Sequence, residues 1–308
     1  MQFRSAVTGR TRRRGGAGVA GLLAALAVLL AACQPPASMA QAGAGTPSPR
    51  QPISGQPITL VALGDSFSAG EGNAPYDADA PDCDRSASAW PRLVGQRITG
   101  STVRLLACSG AKTGALTSGF KGQAAQVTAL RSLLSAGVHP DVVTIMIGGN
   151  DVGFGSTLAS CLLWRCFWTG HDNTSLDFVD NQLPGLLRTA YENVKAAAGG
   201  ARVVVVGYPD LIPSRSDNIC RWLDTTERVQ LSGLNDAINR VARRAAGKAD
   251  VDYLSIDRVL NGHRLCTKDA WIYPVALTSA GLNASGHPTA LGQRAIADAV
   301  VTYVTKSK

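Results

Sequence analysis

The sequence predicts an α/β protein, a three-layer α/β/α sandwich, on three observations. Five short apolar runs rich in β-branched residues lack polar alternation, as strands buried on both faces of a parallel sheet do. Amphipathic stretches of helical length separate these runs, and the two kinds of segment alternate without an internal repeat. Glycine and proline punctuate the boundaries.

In chain order, Ile58 to Leu63 is the first strand-like run, and it leads into Gly64-Asp65-Ser66. An amphipathic stretch over about Ala87–Ile98 separates it from the second run, Val103 to Ala107. A helix over about Gln123–Ala136 precedes the third run, Val142 to Ile147. The long periodic stretch Leu176–Ala198 precedes the valine run Val203 to Val206, and Thr225–Ala246 precedes the last run, Val251 to Ile256. Leu291–Thr305 closes the chain as a helix. Two insertions, Val152–Asn173 and Pro209–Asp224, read as irregular, and each carries cysteines. Long ordered loops of that kind often shape a binding site.

The 308 residues suffice for one large α/β domain or two small ones. An apolar share of 45% with 17% charged residues excludes a wholly disordered chain. Of the net charge of +8, five units belong to Arg4, Arg10, Arg12, Arg13 and Arg14, so the remainder carries +3. That field is too weak to indicate nucleic acid as a partner, and no basic stripe with interleaved aromatics occurs.

Residues 1–33 read as a targeting segment: a basic stretch ending at Arg14, then an apolar run from Ala17 to Ala32, shorter than a membrane span. The run ends in Leu30-Ala31-Ala32-Cys33, which looks like a bacterial lipoprotein box with Cys33 as the lipidated residue. The alternative is an ordinary signal peptide cut at a small residue nearby, for instance after Ala40. Residues 34–56, rich in Pro, Ala, Gln, Gly and Ser, form a flexible linker, and the folded domain occupies 57–308. The expected location is outside the cytoplasm, as a cell-surface lipoprotein or a secreted monomer. Setting Cys33 aside leaves six cysteines, and in an exported chain these suit three disulfides. Sequence order suggests Cys83–Cys108, Cys161–Cys166 and Cys220–Cys266. No C-x-x-C pair occurs and the histidines do not cluster with the cysteines, so no metal or other cofactor is expected.

Four short segments carry the chemistry. Gly64-Asp65-Ser66-Phe67-Ser68 follows the first strand, where a serine can project into the crevice beyond the carboxyl ends of a sheet. Ala107-Cys108-Ser109-Gly110-Ala111 closes the second, and Gly110 allows close approach of a backbone N–H to a ligand. Gly148-Gly149-Asn150-Asp151 closes the third with a side-chain amide, and Gly286-His287-Pro288 supplies an imidazole before the last helix. A nucleophile, a base and two kinds of neutral donor on one sheet edge are what acyl transfer requires.

These blocks resemble those of the SGNH (GDSL-type) hydrolase superfamily, matching at Ser66, Gly110, Asn150 and His287 over about residues 57–305. With its six cysteines the chain looks most like the secreted actinobacterial lipases and esterases of that superfamily. The resemblance implies a five-stranded parallel sheet of flavodoxin-like topology and a carboxylic ester hydrolase. It also implies Ser66 as nucleophile, His287 as base, and an oxyanion hole formed by the Ser66 and Gly110 N–H groups with the Asn150 amide. A carbohydrate O-deacetylase of the same superfamily is the enzymatic alternative, and a non-catalytic surface-binding lipoprotein is the alternative outside enzymes.

The sequence departs from the family pattern at one place. Most members carry an Asp three residues before the His, where this chain has Ala284. The expectation is that the Ala284 carbonyl orients His287, giving a Ser–His dyad. A carboxylate such as Asp257 on that nitrogen would contradict it. Of the other histidines, His139 reads as a surface cap and His171 as a loop residue, while His263 reads as structural or as pocket wall. Asp65 and Asp151 are expected to accept hydrogen bonds from backbone N–H groups. The apolar stretch Cys161–Trp168, including Trp164, reads equally as an acyl-chain wall or as packing.

Overall fold

The computed structural model describes residues 56–164, 171–213, 222–276 and 283–306. Five parallel strands form one sheet: β1 (Thr59–Gly64), β2 (Thr102–Leu105), β3 (Val142–Met146), β4 (Arg202–Val206) and β5 (Asp252–Leu254). Their spatial order is β2-β1-β3-β4-β5. The chain runs outward from β1 to β2 and then returns to β3 on the other side of β1. The carboxyl ends of β1 and β3 therefore flank the point where the strand order reverses, the usual crevice for a ligand in an open α/β sheet.

The strand sequences account for this arrangement. β3 is buried at all five positions, and β1 at every position after Thr59, so polar alternation would have placed unpaired groups against a helix. The helices are α1 (Ser66–Ala69), α2 (Trp90–Arg97), α3 (Gln126–Ser135), α4 (Gly149–Val152), α5 (Phe154–Trp164), α6 (His171–Asn181), α7 (Leu183–Ala197), α8 (Thr225–Lys248) and α9 (Ala290–Val304). α9 packs on α2, while α7 packs on α8, α3 and α6, giving the outer layers of an α/β/α sandwich. α8 begins with a reciprocal cap: Asp224 accepts from the Glu227 N–H at 2.9 Å, and Glu227 accepts from the Asp224 N–H at 3.0 Å. Among the described residues no helix is long and apolar enough to cross a membrane.

Two segments differ from the sequence expectation. The periodic stretch Leu176–Ala198 is two helices, α6 and α7, because Pro184 stands in the first turn of α7. Proline fits a first turn, but inside a continuous helix it would remove a hydrogen bond and clash with the preceding turn. The insertion Val152–Asn173 is largely helical, since α5 covers Phe154–Trp164. Leu158 and Cys161 of α5 are buried in a second core cluster with Leu211, Ile212, Leu231 and Leu260. A short helix with such an apolar sequence shows little period-3.6 contrast, so tertiary packing decides its form.

Cys83 and Cys108 form a disulfide. Cys161 and Cys266 are each disulfide-bonded as well. Cys166 and Cys220, their expected partners, lie outside the described residues, as do Cys33, the linker over 34–55 and the aromatic residues Phe167 and Trp168.

Candidate active site

The site is built from three strand ends and the turn that precedes α9. Gly64 closes β1 at φ +137°, and a Cβ there would stand 2.3 Å from the Met146 carbonyl of β3. Gln126 of α3 grips this peptide from the other side. Its Oε1 accepts from the Gly64 N–H and its Nε2 donates to the Gly64 carbonyl, both at 2.8 Å. The next residue, Asp65, caps α1 by accepting from the Phe67 N–H at 3.0 Å. Ser66 thus becomes the first residue of a short, fixed helix, almost fully buried, at the mouth of the β1–β3 crevice.

Asp65 also accepts a hydrogen bond from the Tyr208 hydroxyl, which itself accepts from the Gly149 N–H at 3.1 Å. This buried chain ties the loops after β1, β3 and β4 together. Burial pushes the Asp65 carboxyl up to about 7, opposed by the bonds from Tyr208 and Phe67. Burial and the neighbouring Asp65 charge hold the Tyr208 phenol far above its ordinary range, so the shared proton stays on the tyrosine.

The second and third blocks are locked to each other. The Cys83–Cys108 disulfide and the Ser109 N–H, which donates to the Cys83 carbonyl at 3.1 Å, hold the turn at Gly110. Gly110 adopts φ +80°, a conformation that favours glycine. The Asn150 Nδ2 donates to the Ala111 carbonyl at 3.0 Å, which leaves its second amide hydrogen available. Asp151 accepts from the Thr113 N–H at 2.9 Å and from the Thr113 hydroxyl at 2.6 Å, a joint between the same two blocks.

The fourth block delivers His287. Gly286 at φ +74° turns the chain, and the flanking peptides pair with Tyr273: Gly286 N–H to the Tyr273 carbonyl at 3.0 Å, and Tyr273 N–H to the His287 carbonyl at 2.9 Å. Asn73 crosses from the end of α1 to donate to the Pro288 carbonyl at 2.9 Å, holding this block against the first. The His287 Nε2 lies 2.8 Å from the Ser66 Oγ, and its ring rests at 5.3 Å from that of Phe67. Around Nδ1 stand the main-chain carbonyls of Ala284, Asn283 and Ser285, which favour a proton there although none meets strict hydrogen-bond geometry. Burial outweighs them and brings the imidazole down to about 4, so it is neutral and able to accept a proton near neutral pH.

Asp257 takes a hydrogen bond from the Ser255 hydroxyl and does not line the cleft. His263 is stacked on Trp271 at 3.6 Å with its Nδ1 against Asp269, so its role is in packing rather than in the cleft wall. His139 is exposed, beyond the end of α3.

Ser66, Gly110, Asn150 and His287 all line one cleft of about 380 Å³. Its apolar side is formed by Phe154, Leu158, Leu211, Ile238 and Val275, most of them part of the second core cluster or packed against it. A polar group, Glu71, Asp84, Ser109 and Lys121, lines the cleft as well. Glu71 is the residue that sequence reasoning missed: its carboxylate lies 3.6 Å from the His287 Nε2. Its place five residues after Ser66, just beyond the first block, was the available signal. Tyr208, Gln126 and Asn73 had none, because only the tertiary fold brings them to this place.

Comparison with known proteins shows to which family the chain belongs. Residues 62–295 match the GDSL-like Lipase/Acylhydrolase family. The chain is 34% identical to Lipase 1 of Streptomyces coelicolor over 258 residues, covering 83% of this chain and 90% of that one. Among solved structures it is similar to phospholipase A1 from Streptomyces albidoflavus, with a TM-score of 0.69 and 32% identity over 81% of this chain and 100% of that one. The extracellular lipase of Streptomyces rimosus is similar at a TM-score of 0.68 and 30% identity, covering 81% and 100%. With the family match spanning most of the folded domain, the chain belongs to the GDSL-like lipase/acylhydrolase family and is an ester hydrolase.

Proposed function

We propose that the enzyme hydrolyses carboxylic esters of acyl lipids, or esters like them, through an acyl-enzyme on Ser66 with His287 as base. The observation that carries this reading is the 2.8 Å contact between Ser66 Oγ and a neutral His287 Nε2 beside an apolar cleft wall. His287 takes the Ser66 proton as Oγ attacks the ester carbonyl, and the carbonyl electron pair moves onto oxygen. The Ser66 and Gly110 N–H groups and the free hydrogen of the Asn150 amide receive that oxyanion. Among the described residues neither N–H group is committed to a backbone acceptor. The C–O bond then breaks as His287 returns its proton to the leaving alcohol, and water repeats the cycle on the acyl-enzyme. The carbonyls around Nδ1, Ala284 first among them, hold the imidazole tautomer.

Hydrolysis of p-nitrophenyl esters from acetyl to palmitoyl tests this reading. The apolar wall leads us to expect a rate optimum beyond the acetyl ester. Preference for acetyl alone would favour an O-deacetylase, and no cleavage of any ester would sink the reading. Asn150→Ala should lower kcat by roughly 10²–10³, as loss of one oxyanion donor does, with little change in KM. A kcat within threefold of wild type would remove Asn150 from the hole.

The proposed mature enzyme is exported, and residues 34–56 tether the domain at residues 57–308 to a lipidated Cys33. The similarity to an extracellular lipase supports export, and the Leu30-Ala31-Ala32-Cys33 motif supports the anchor. Palmitate labelling of the expressed protein should be abolished by Cys33→Ser. Labelling that persists in that variant, or that is absent from wild type, excludes the anchor.

A further inference from the structure

We propose that Glu71 is the carboxylate that pairs the His287 imidazolium, acting from the Nε2 side of the ring as a positioning residue for the dyad. This inference rests on the acyl-enzyme reading above. Among the described residues no carboxylate lies within ion-pair distance of Nδ1, and Ala284, Asn283 and Ser285 present only carbonyl dipoles to the ring. A neutral carbonyl fixes a tautomer but supplies no full charge against the cation that forms when Ser66 is deprotonated. The carboxylate at 3.6 Å from Nε2 stands where that charge develops, and its side chain is only 14% exposed.

The position of Glu71 is set by the same turn that sets the nucleophile. Its N–H donates to the Ser66 carbonyl at 3.1 Å, and its own carbonyl accepts from Asn73 Nδ2 at 3.3 Å. Of the other acids nearby, Asp84 also acts on His287 through its charge, but among the described residues only Glu71 lies within ion-pair distance of Nε2, and two more are committed elsewhere. Asp65 is bound to Phe67 and Tyr208, and Asp151 to Thr113. The groups that act on Glu71 are Ser109, Asp84 and Lys121, the last of which also donates to the Asp82 carbonyl at 2.7 Å. Tyr76 lies within its field, and Asp84 also acts on His287. The proton passes from Ser66 Oγ to Nε2 and then to the leaving oxygen. Glu71 neither gains nor loses it, and contributes its charge throughout.

The geometry has a consequence for pH. Burial lifts Glu71 to about 7 and brings His287 down to about 4. Between those values His287 is still a competent base, while Glu71 loses its charge as the solution is acidified. An acid limb of kcat/KM near pH 7 is expected, and it is assigned to Glu71 rather than to Asp65. Burial lifts Asp65 to the same range, but Asp65 is bound to Tyr208 and Phe67 away from the His287 ring. Activity is full above that limb and falls below it.

The test is the pH profile of kcat and KM on p-nitrophenyl butyrate for wild type, Glu71→Gln and Glu71→Asp. A fluorophosphonate that labels Ser66 serves as a check on the nucleophile. Glu71→Gln should lower the kcat plateau by about 10- to 100-fold with KM little changed, the size of a one- to two-unit coupling. Its limb near pH 7 should vanish, and Glu71→Asp should restore part of the rate together with a limb. A Glu71→Gln variant that keeps the wild-type limb and plateau overturns the proposal, as does a loss expressed only in KM. If Glu71→Gln does not fold, a Glu71→Asp profile identical to wild type overturns it equally. Failure of the acyl-enzyme reading shows separately, as labelling away from Ser66.

Discussion

Replacing Ser66 by alanine should lower kcat/KM for ester hydrolysis by about 10⁴ or more, with the fold unchanged. Among the described residues Ser66 Oγ is the only hydrogen-bond partner of the His287 Nε2, so on the proposed mechanism the variant cannot form an acyl-enzyme. The proposed donors at Gly110 and Asn150 remain, and a residual rate above solution hydrolysis is expected from them. Ser66 is 6% exposed, and alanine fits its place at the start of α1 without a new contact. A fall of less than tenfold, measured on the same p-nitrophenyl esters, would mean that another group attacks the carbonyl.

Gly64→Ala should destabilise the protein by about 3 kcal/mol or more, from backbone strain and overpacking together. At φ +137° an L side chain is strained in any surroundings, and here the nearest atom an added Cβ meets is the Met146 backbone carbonyl, with the Ser68 Oγ at 2.9 Å as a further clash. Gly64 pairs in register with Met146, and the Asp65 N–H donates to that same carbonyl at 3.1 Å. Relief would require β1 and β3 to part at the point where Ser66 is held, so activity should fall with stability. Urea denaturation reads the cost directly, and a loss under about 1 kcal/mol with full activity would contradict this account of the strand end.

The strands and the four site blocks were legible in the sequence because both depend on local patterns. Valine runs such as Val203–Val206 need no context to declare a two-sided buried strand, and the strand ends place the blocks on one edge. Asp151 was legible in kind, as an acid that bonds backbone, though not its partner Thr113. Tyr208 and Gln126 were not legible, since their roles come from distant elements meeting: the tyrosine hydroxyl reaches Asp65 across the sheet edge, and the glutamine reaches the Gly64 peptide from α3. The helix α5 was hidden for another reason: its buried Leu158 and Cys161 face a satellite core that the sequence gives no periodic hint of. Glu71 lay in plain view beside the first block, but its meaning depends on a distance to His287 that only the folded chain defines.

The central claim is that Ser66, activated by His287, forms the covalent acyl intermediate. Peptide mass mapping after reaction with a fluorophosphonate tests it most directly. The account predicts one label per chain, on Ser66, with complete loss of esterase activity. It also predicts no label in Ser66→Ala and much slower labelling in His287→Ala. Inactivation with the label on any other residue, or full activity after Ser66 is labelled, would contradict it.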